Sequence, residues 1–138
     1  MCQVEVKKLY RIIDANFNRA KEGLRVCEDI CRFIFDQKTN TRQYKKIRHQ
    51  LTDFVNSLSL DKLIDARDIK RDVGKKTIDK ELKRKNVSDI FSANSQRVKE
   101  AIRVLEEFSK LLNPTVSQKF KKLRYELYAM EKKTLIQC

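Results

Sequence analysis

Apolar residues recur at spacings of three and four along four stretches of this 138-residue chain. The first stripe runs through Ile13, Phe17, Ala20, Leu24, Cys27, Cys31 and Ile34. The second runs through Tyr44, Ile47, Leu51, Phe54, Val55 and Leu58. A third joins Phe91, Val98, Ile102, Leu105 and Leu112, and a fourth joins Phe120, Leu123, Leu127 and Met130. Such spacing gives each of four helices one apolar face. Thr39-Asn40-Thr41 is expected to form the loop of the first helix pair. Ser88 is the expected cap of the third long helix. Thr115-Val116-Ser117-Gln118, just after Asn113-Pro114, reads as a capping box for the fourth. The stretch from about 61 to 85 is charged and weakly periodic, and predicts a long crossover between the pairs.

The polar positions repeat as well. Residues 15–28 return as residues 93–106 with eight of 14 positions identical, including Asn16/Asn94, Arg19/Arg97, Arg25/Arg103 and Glu28/Glu106. Downstream, Lys45-Lys46-Ile47-Arg48-His49-Gln50-Leu51 matches Lys121-Lys122-Leu123-Arg124-Tyr125-Glu126-Leu127. The first match is offset by 78 residues and the second by 76, which predicts a shorter loop in the second pair. Shared helical composition would not hold polar identities in register over two segments. The expected fold is therefore all-α, with four long helices as two duplicated hairpins related by approximate two-fold symmetry. One domain, 1–138, then comprises a first copy at about 9–60, the crossover at about 61–85 and a second copy at about 86–134.

Composition narrows the function. Two glycines cannot build a Gly-rich phosphate loop, and a single His rules out a His-rich metal site. The formal net charge of +13 calls for anionic partners, among them phosphometabolites, nucleotides, nucleic acid and acidic membranes. No apolar stretch approaches the ~18 residues of a membrane span, and Met1 to Tyr10 does not read as a signal peptide. A cytoplasmic location and no membrane partner are the expectation. Cys27 and Cys31, one helical turn apart, read as core packing; Cys2 and Cys138 are terminal.

On a helical wheel Asn16 falls at the edge of the first apolar arc, with Arg19 one turn on and Gly23 beside both; Asn94, Arg97 and Ala101 repeat the pattern. A small residue there leaves room for something to approach the helix. Arg25 and Arg103 stand three residues before Glu28 and Glu106, at ion-pair spacing, and Arg48 and Arg124 border the stripes of the second helices. Two readings are open. The repeated groups form an interhelical polar network that fixes register, or they converge on a ligand. The crossover adds Ala66-Arg67-Asp68-Ile69-Lys70-Arg71-Asp72-Val73-Gly74-Lys75-Lys76-Thr77, which mixes phosphate-binding cations with two carboxylates suited to Mg²⁺. Gly74 is expected to permit a turn that other residues resist. A solvated basic loop is the alternative.

These segments, with Arg11-Ile12-Ile13-Asp14-Ala15-Asn16, Arg48-His49 and Leu123-Arg124-Tyr125, resemble the small hydroxymethylpyrimidine phosphate kinases of thiamine biosynthesis. That family occurs alone or fused in front of a thiamine phosphate synthase domain. The resemblance spans about Arg11 to Lys132. It implies a transferase that uses ATP and Mg²⁺ to convert 4-amino-5-hydroxymethyl-2-methylpyrimidine phosphate to its diphosphate, with a functional link to the synthase. In that frame Arg19, Arg97, Arg48 and Arg124 are the phosphate-binding candidates, and Arg67, Arg71 and Lys75 close over the nucleotide. Asp68 and Asp72 are the metal candidates, ahead of Glu28 and Glu106. Asn16 and Asn94 contact pyrimidine or phosphate, Gly74 belongs to the nucleotide-binding stretch, and His49 contacts substrate. The competing classes are a basic helical nucleic-acid binder and a noncatalytic partner module. A homo-oligomer is compatible with the pattern.

Overall fold

The computed structural model describes residues 5–76 and 82–137. Among the described residues five α-helices form, in chain order: α1 (Val6–Asp29), α2 (Lys38–Asn56), α3 (Leu60–Ala66), α4 (Val87–Ser109) and α5 (Pro114–Gln137). A π-helical turn, Ile30–Ile34, continues α1. The described residues contain no strand, so the all-α expectation holds. Among the described residues no helix is long and apolar enough to cross a membrane.

The stripes pack as their spacing requires. Ile13, Ala20, Leu24, Ile47, Leu51, Phe91, Ile102, Leu105 and Phe120 are all buried in one core. Helices α1 and α4, the first members of the two copies, form the most extensive interface. At their crossing a Cβ on Gly23 would sit 2.5 Å from Val98 Cγ2 and 3.2 Å from the Asn94 carbonyl. What approaches the helix at Gly23 is therefore α4 and not a ligand. Tyr44 and Phe91 meet edge to face, as do Phe54 and Phe120, and these pairs tie the hairpins together.

Several boundaries differ from the periodicity. Thr39-Asn40-Thr41 lies in the first turn of α2, and the loop is Phe35-Asp36-Gln37, with Asp36 at φ 52°. Phe35 N–H donates to the Ile30 carbonyl, five residues back, at 3.0 Å. The wider π turn delays the helical phase, and Ile34 rotates out of the core to become exposed. The second loop, 110–113 between Ser109 and Pro114, has four residues against three in the first, so the expected shorter loop is not seen; the two-residue change of offset comes instead from the helical extension Ile30–Ile34 that follows α1.

The caps differ too. Asn86, not Ser88, caps α4, its Oδ1 accepting from Asp89 N–H at 2.9 Å. Asn113 Oδ1 accepts from Thr115 N–H at 3.1 Å and from Val116 N–H at 3.4 Å, so Asn113 caps α5 and Pro114 takes the first helical position. In both cases an Asn side chain just outside the helix reaches its free N–H groups.

The crossover is not unstructured at its start. Ser59, at φ 85°, breaks α2 from α3, and α3 buries Leu63 and Ala66 against α1. Cys2, Thr77 and Cys138 lie outside the described residues.

Candidate functional site

Helix α3 delivers the next residues of the crossover to the side of α1. Arg67 Nε and Nη2 donate to Asp14 Oδ2 and Oδ1 at 2.8 and 2.7 Å, a two-bond fork. Asp14 is buried, whereas Arg67 is half exposed. The hydrogen bonds to Asp14, followed by its charge, hold the Arg67 guanidinium above its ordinary pKa. Arg11 Nη2 donates to the Asp68 carbonyl at 2.9 Å, a second tether on the same helix.

Under this strap lies a cavity of about 710 Å³. Lys8, Arg11, Arg19, Arg67 and Arg71 line it with Asp14, Glu22, Asp68 and Asp72. Its apolar lining is Ile12 and Ala15 from α1 and Ile69 and Val73 from the crossover. The Asp14 carboxylate is satisfied by Arg67, so the remaining cations outweigh the remaining carboxylates.

Between the two copies lies a second space, a cleft of about 440 Å³. It is lined by Asn16, Arg19, Arg97, Glu100, Ala101 and Val104. Asn16 and Arg19 line both spaces. Asn16 is buried, donates to the Ile12 carbonyl at 2.9 Å and accepts from Arg19 Nη1 at 3.4 Å. Asn94 repeats the first bond, donating to the Ile90 carbonyl at 2.8 Å. The buried amide thus finds its partner in its own helix, and Asn94 lines neither space. Arg19 and Arg97 are both exposed. Neither meets a carboxylate among the described residues, although Arg25, Arg48, Arg67, Arg103 and Arg124 all do.

Arg48 and Arg124 do not join this cleft. Arg48 Nε donates to Glu28 Oε1 at 3.1 Å, and Arg25 Nη1 donates to Glu28 Oε2 at 3.1 Å. Arg124 Nε and Arg103 Nη1 hold Glu106 in the same way at 3.0 and 2.8 Å. The bond to Glu106 is the main reason that Arg124 sits above its ordinary pKa, with Tyr128 adding to it. These two clasps join the helices within each hairpin and use both glutamates as ion-pair partners, which leaves them poor metal ligands. A separate space of about 280 Å³ beside the second clasp is lined by Arg103, Glu106, Lys110, Lys121, Arg124 and Tyr125, among others. The sequence reading that gathered four arginines in one pocket is corrected here. Arg19 and Arg97 come together, and Arg48 and Arg124 lie apart from them and from each other.

The other candidates divide between cavity and solvent. His49 is exposed on α2 and lines none of these spaces. Arg71 is on the cavity wall; Lys75 is exposed beyond it. Gly74 has no positive φ, and a Cβ there would meet only Asp72 Oδ1 at 3.6 Å, so the turn does not require glycine. Its N–H donates to Asp72 Oδ1 at 2.9 Å. Asp68 Oδ1 accepts from Arg71 N–H at 3.2 Å.

No group of three or more metal-capable side chains occurs among the described residues. A protein-only cage is thereby ruled out for them. Asp68 meets the exposed Arg71 at 3.6 Å, a looser and wetter pair than the buried clasps, and with Asp72 on the same cavity wall it fits Mg²⁺, which takes one or two carboxylates together with phosphate oxygens and water.

Lys8 and Asp14 are wall residues that the repeat could not reveal, because their positions in the second copy hold Asn86 and Ser92. The spacing of Asp14 and Asn18 was a signal within reach. Asn18 Nδ2 donates to the Asp14 carbonyl at 3.0 Å, one turn away.

The fold and site first define a class: a duplicated all-helical domain whose copies meet along α1 and α4 and leave an arginine-lined cleft between them. Comparison with known proteins narrows this. Residues 11–133 match the ThiD2 family, and the chain belongs to that family. It is 41% identical over 132 residues to the thiamine-phosphate synthase of Synechocystis sp. (strain ATCC 27184 / PCC 6803 / Kazusa), covering 95% of this chain and 37% of that protein. The thiamine-phosphate synthase of Nostoc punctiforme (strain ATCC 29133 / PCC 73102) is 39% identical over 124 residues, covering 89% of this chain and 34% of its own. That of Rhodopirellula baltica (strain DSM 10527 / NCIMB 13988 / SH1) is 35% identical over 130 residues, covering 94% and 35%. The chain thus spans about a third of the length of these curated relatives. No solved structure matches it.

Proposed function

We propose that this chain is an enzyme of thiamine biosynthesis, a phosphotransferase converting 4-amino-5-hydroxymethyl-2-methylpyrimidine phosphate to its diphosphate at the expense of ATP. One observation carries the reading. Arg19 and Arg97, from equivalent positions of the two copies, line one cleft and meet no carboxylate among the described residues. Guanidinium groups so placed suit phosphate oxygens, which they bind through paired N–H donors. Family membership and relatives named thiamine-phosphate synthase support the pathway. The diphosphate would feed such a synthase, and a cytoplasmic setting belongs to the same reading.

The chemistry asks little of the protein by way of proton transfer. The attacking oxygen belongs to a phosphate monoester, whose second pKa is ~6, so it is mostly ionised near neutral pH. Its bond to the γ-phosphorus forms as the bond from that phosphorus to the bridging oxygen breaks and ADP leaves. No side chain has to remove a proton. Arg19 and Arg97 bind and align phosphate oxygens and offset their charge, which is where rate enhancement in phosphoryl transfer arises. Magnesium, when bound with the nucleotide, neutralises charge on the β- and γ-oxygens. Asp68 and Asp72 would hold it. Arg71 on the cavity wall and Lys75 beyond it would meet the nucleotide's outer phosphates from the crossover, and Arg67 keeps the strap seated through Asp14.

The test is direct. The folded protein, with ATP, Mg²⁺ and the pyrimidine monophosphate, should release ADP and form the diphosphate, read by phosphorus NMR or chromatography. The free pyrimidine alcohol should be a poor substrate, since it lacks the phosphate that the cleft grips. Failure to form the diphosphate in a sample with a helical circular dichroism spectrum would overturn the reading.

A further inference from the structure

Two spaces of unequal size and different chemistry meet at Asn16 and Arg19. We infer that the nucleotide occupies the larger cavity under the crossover and the pyrimidine phosphate the cleft between α1 and α4, with Arg19 between them at the point of transfer. This assignment rests on the kinase reading above and gives each substrate its own compartment.

Size comes first. ATP has more than twice the heavy atoms of the pyrimidine phosphate, and the cavity is about 710 Å³ against about 440 Å³ for the cleft.

The walls come next. Ile69 and Val73 are exposed to 72% and 103% of their full surface, yet they line the cavity, with Ile12 and Ala15 on its α1 side. Exposed apolar side chains facing a helix wall suit a flat purine ring, which would cover them at a gain of ~25 cal/mol for each Å² removed from water. Asp68 and Asp72 line the cavity and not the cleft, and a magnesium nucleotide needs such carboxylates beside its phosphates.

The cleft offers something different. Its carboxylate, Glu100, accepts from Gln96 Nε2 at 3.1 Å. Two guanidinium groups face a short apolar floor, Ala101 and Val104. That set matches one phosphate monoester and one small ring. Glu100 keeps acceptor capacity for the exocyclic amino group of an aminopyrimidine.

Arg19 is the side chain common to both spaces that carries a charge. The transferred phosphoryl group must travel from one ligand to the other past this position. Charge on its oxygens would therefore be met by Arg19 throughout the step.

Isothermal titration calorimetry tests the assignment without turnover. The probes are a nonhydrolysable ATP analogue with Mg²⁺ and, separately, the pyrimidine monophosphate. Arg97→Ala should weaken the pyrimidine phosphate by about tenfold or more, as removal of a charge-assisted hydrogen bond does. The same variant should leave the nucleotide within about twofold. Asp72→Asn combined with Val73→Ser should do the reverse. All three positions are exposed, so the fold is not at stake. A swapped pattern, or equal weakening of both ligands by each variant, overturns the assignment and leaves the kinase reading standing. Wild-type protein that turns over but binds both probes in competition also overturns it. Wild-type protein that binds neither probe and does not turn over removes the kinase reading itself, and the assignment with it.

Discussion

Glu28 and Glu106 occupy the same place in the two copies, and the same pair of arginines grips each: Arg25 with Arg48, and Arg103 with Arg124. Lys8, Arg11 and Asp14 have no such echo. Their counterparts in the second copy are Asn86, Asp89 and Ser92. In the second copy these positions start a helix, with Asn86 capping Asp89 N–H and Asp89 Oδ2 accepting from Lys85 N–H at 3.0 Å. In the first copy α1 has already begun at Val6, and the same positions face the crossover and line the cavity. The two copies match where the glutamate clasps hold helices together and differ where the first copy lines the cavity. Symmetry within this chain marks the two clasps and the Arg19/Arg97 cleft between the copies, and its breaking marks the larger pocket.

The largest expected effect tests the symmetric half. Glu28 is 3% exposed and its partner Arg48 only 11%. Deleting one member of a buried ion pair costs ~3–5 kcal/mol, because the other charge is left without its partner. Glu28→Ala and Glu106→Ala should each lower urea stability by an amount of that order, and by similar amounts. Unequal losses would show that the clasps are not equivalent.

Next comes the cleft. Arg97→Ala should lower kcat/KM for the pyrimidine phosphate by ~10²-fold or more, the usual scale for loss of a preorganised donor, with little change in urea midpoint. If Arg48→Ala, at a temperature where it is folded, costs as much activity, then the division between clasps and cleft is wrong.

Gly23 and Ala101 are paired positions at the α1–α4 crossing, and the comparison there is steric. Gly23→Ala drives a methyl group to 2.5 Å from Val98 Cγ2, so overpacking should cost ~1–3 kcal/mol in thermal or urea unfolding. Gly74→Ala makes only an ordinary contact, with Asp72 Oδ1 at 3.6 Å, and should change stability by no more than ~0.5 kcal/mol.

A smaller difference between the copies is alkaline. Cys27 stands where Leu105 stands in the second copy. Burial, then repulsion from Cys31 and Glu131, pushes its thiol from 9.0 up to about 12. An unfolded thiol ionises near its ordinary value, so this group's contribution is intact below pH 9.0 and is lost as pH climbs toward about 12. Cys27→Ala should flatten the fall of urea stability over that window by up to one proton's worth of slope.

Helical class, pairing and duplication were all legible, because spacings of three and four commit Ile13, Phe17, Ala20 and Leu24 to one face whatever lies around them. The breaks were less so. The π turn at Ile30–Ile34 shifts phase without any proline or glycine to announce it, and it moved the first loop from Thr39-Asn40-Thr41 to Phe35-Asp36-Gln37. Helix α3 is too short for periodicity to register. The site was legible in part for a related reason. A wheel tells which face a side chain takes but not its height along the bundle, so Arg48 and Arg124 were grouped with Arg19 and Arg97 although they sit at other levels. Repeat identity pointed to Arg19 and Arg97 but was blind to Lys8 and Asp14, which only one copy carries.

Among the described residues, the crossover is tethered to α1 by Arg67 to Asp14 and by Arg11 to the Asp68 carbonyl. The halves themselves adhere through α1 and α4, far more broadly than through that strap. A backbone cut beyond Gly74 should therefore leave two fragments that still recognise each other and can be mixed from separate preparations. Each would bring one glutamate clasp already assembled, and reunion would recreate the seam between Arg19 and Arg97.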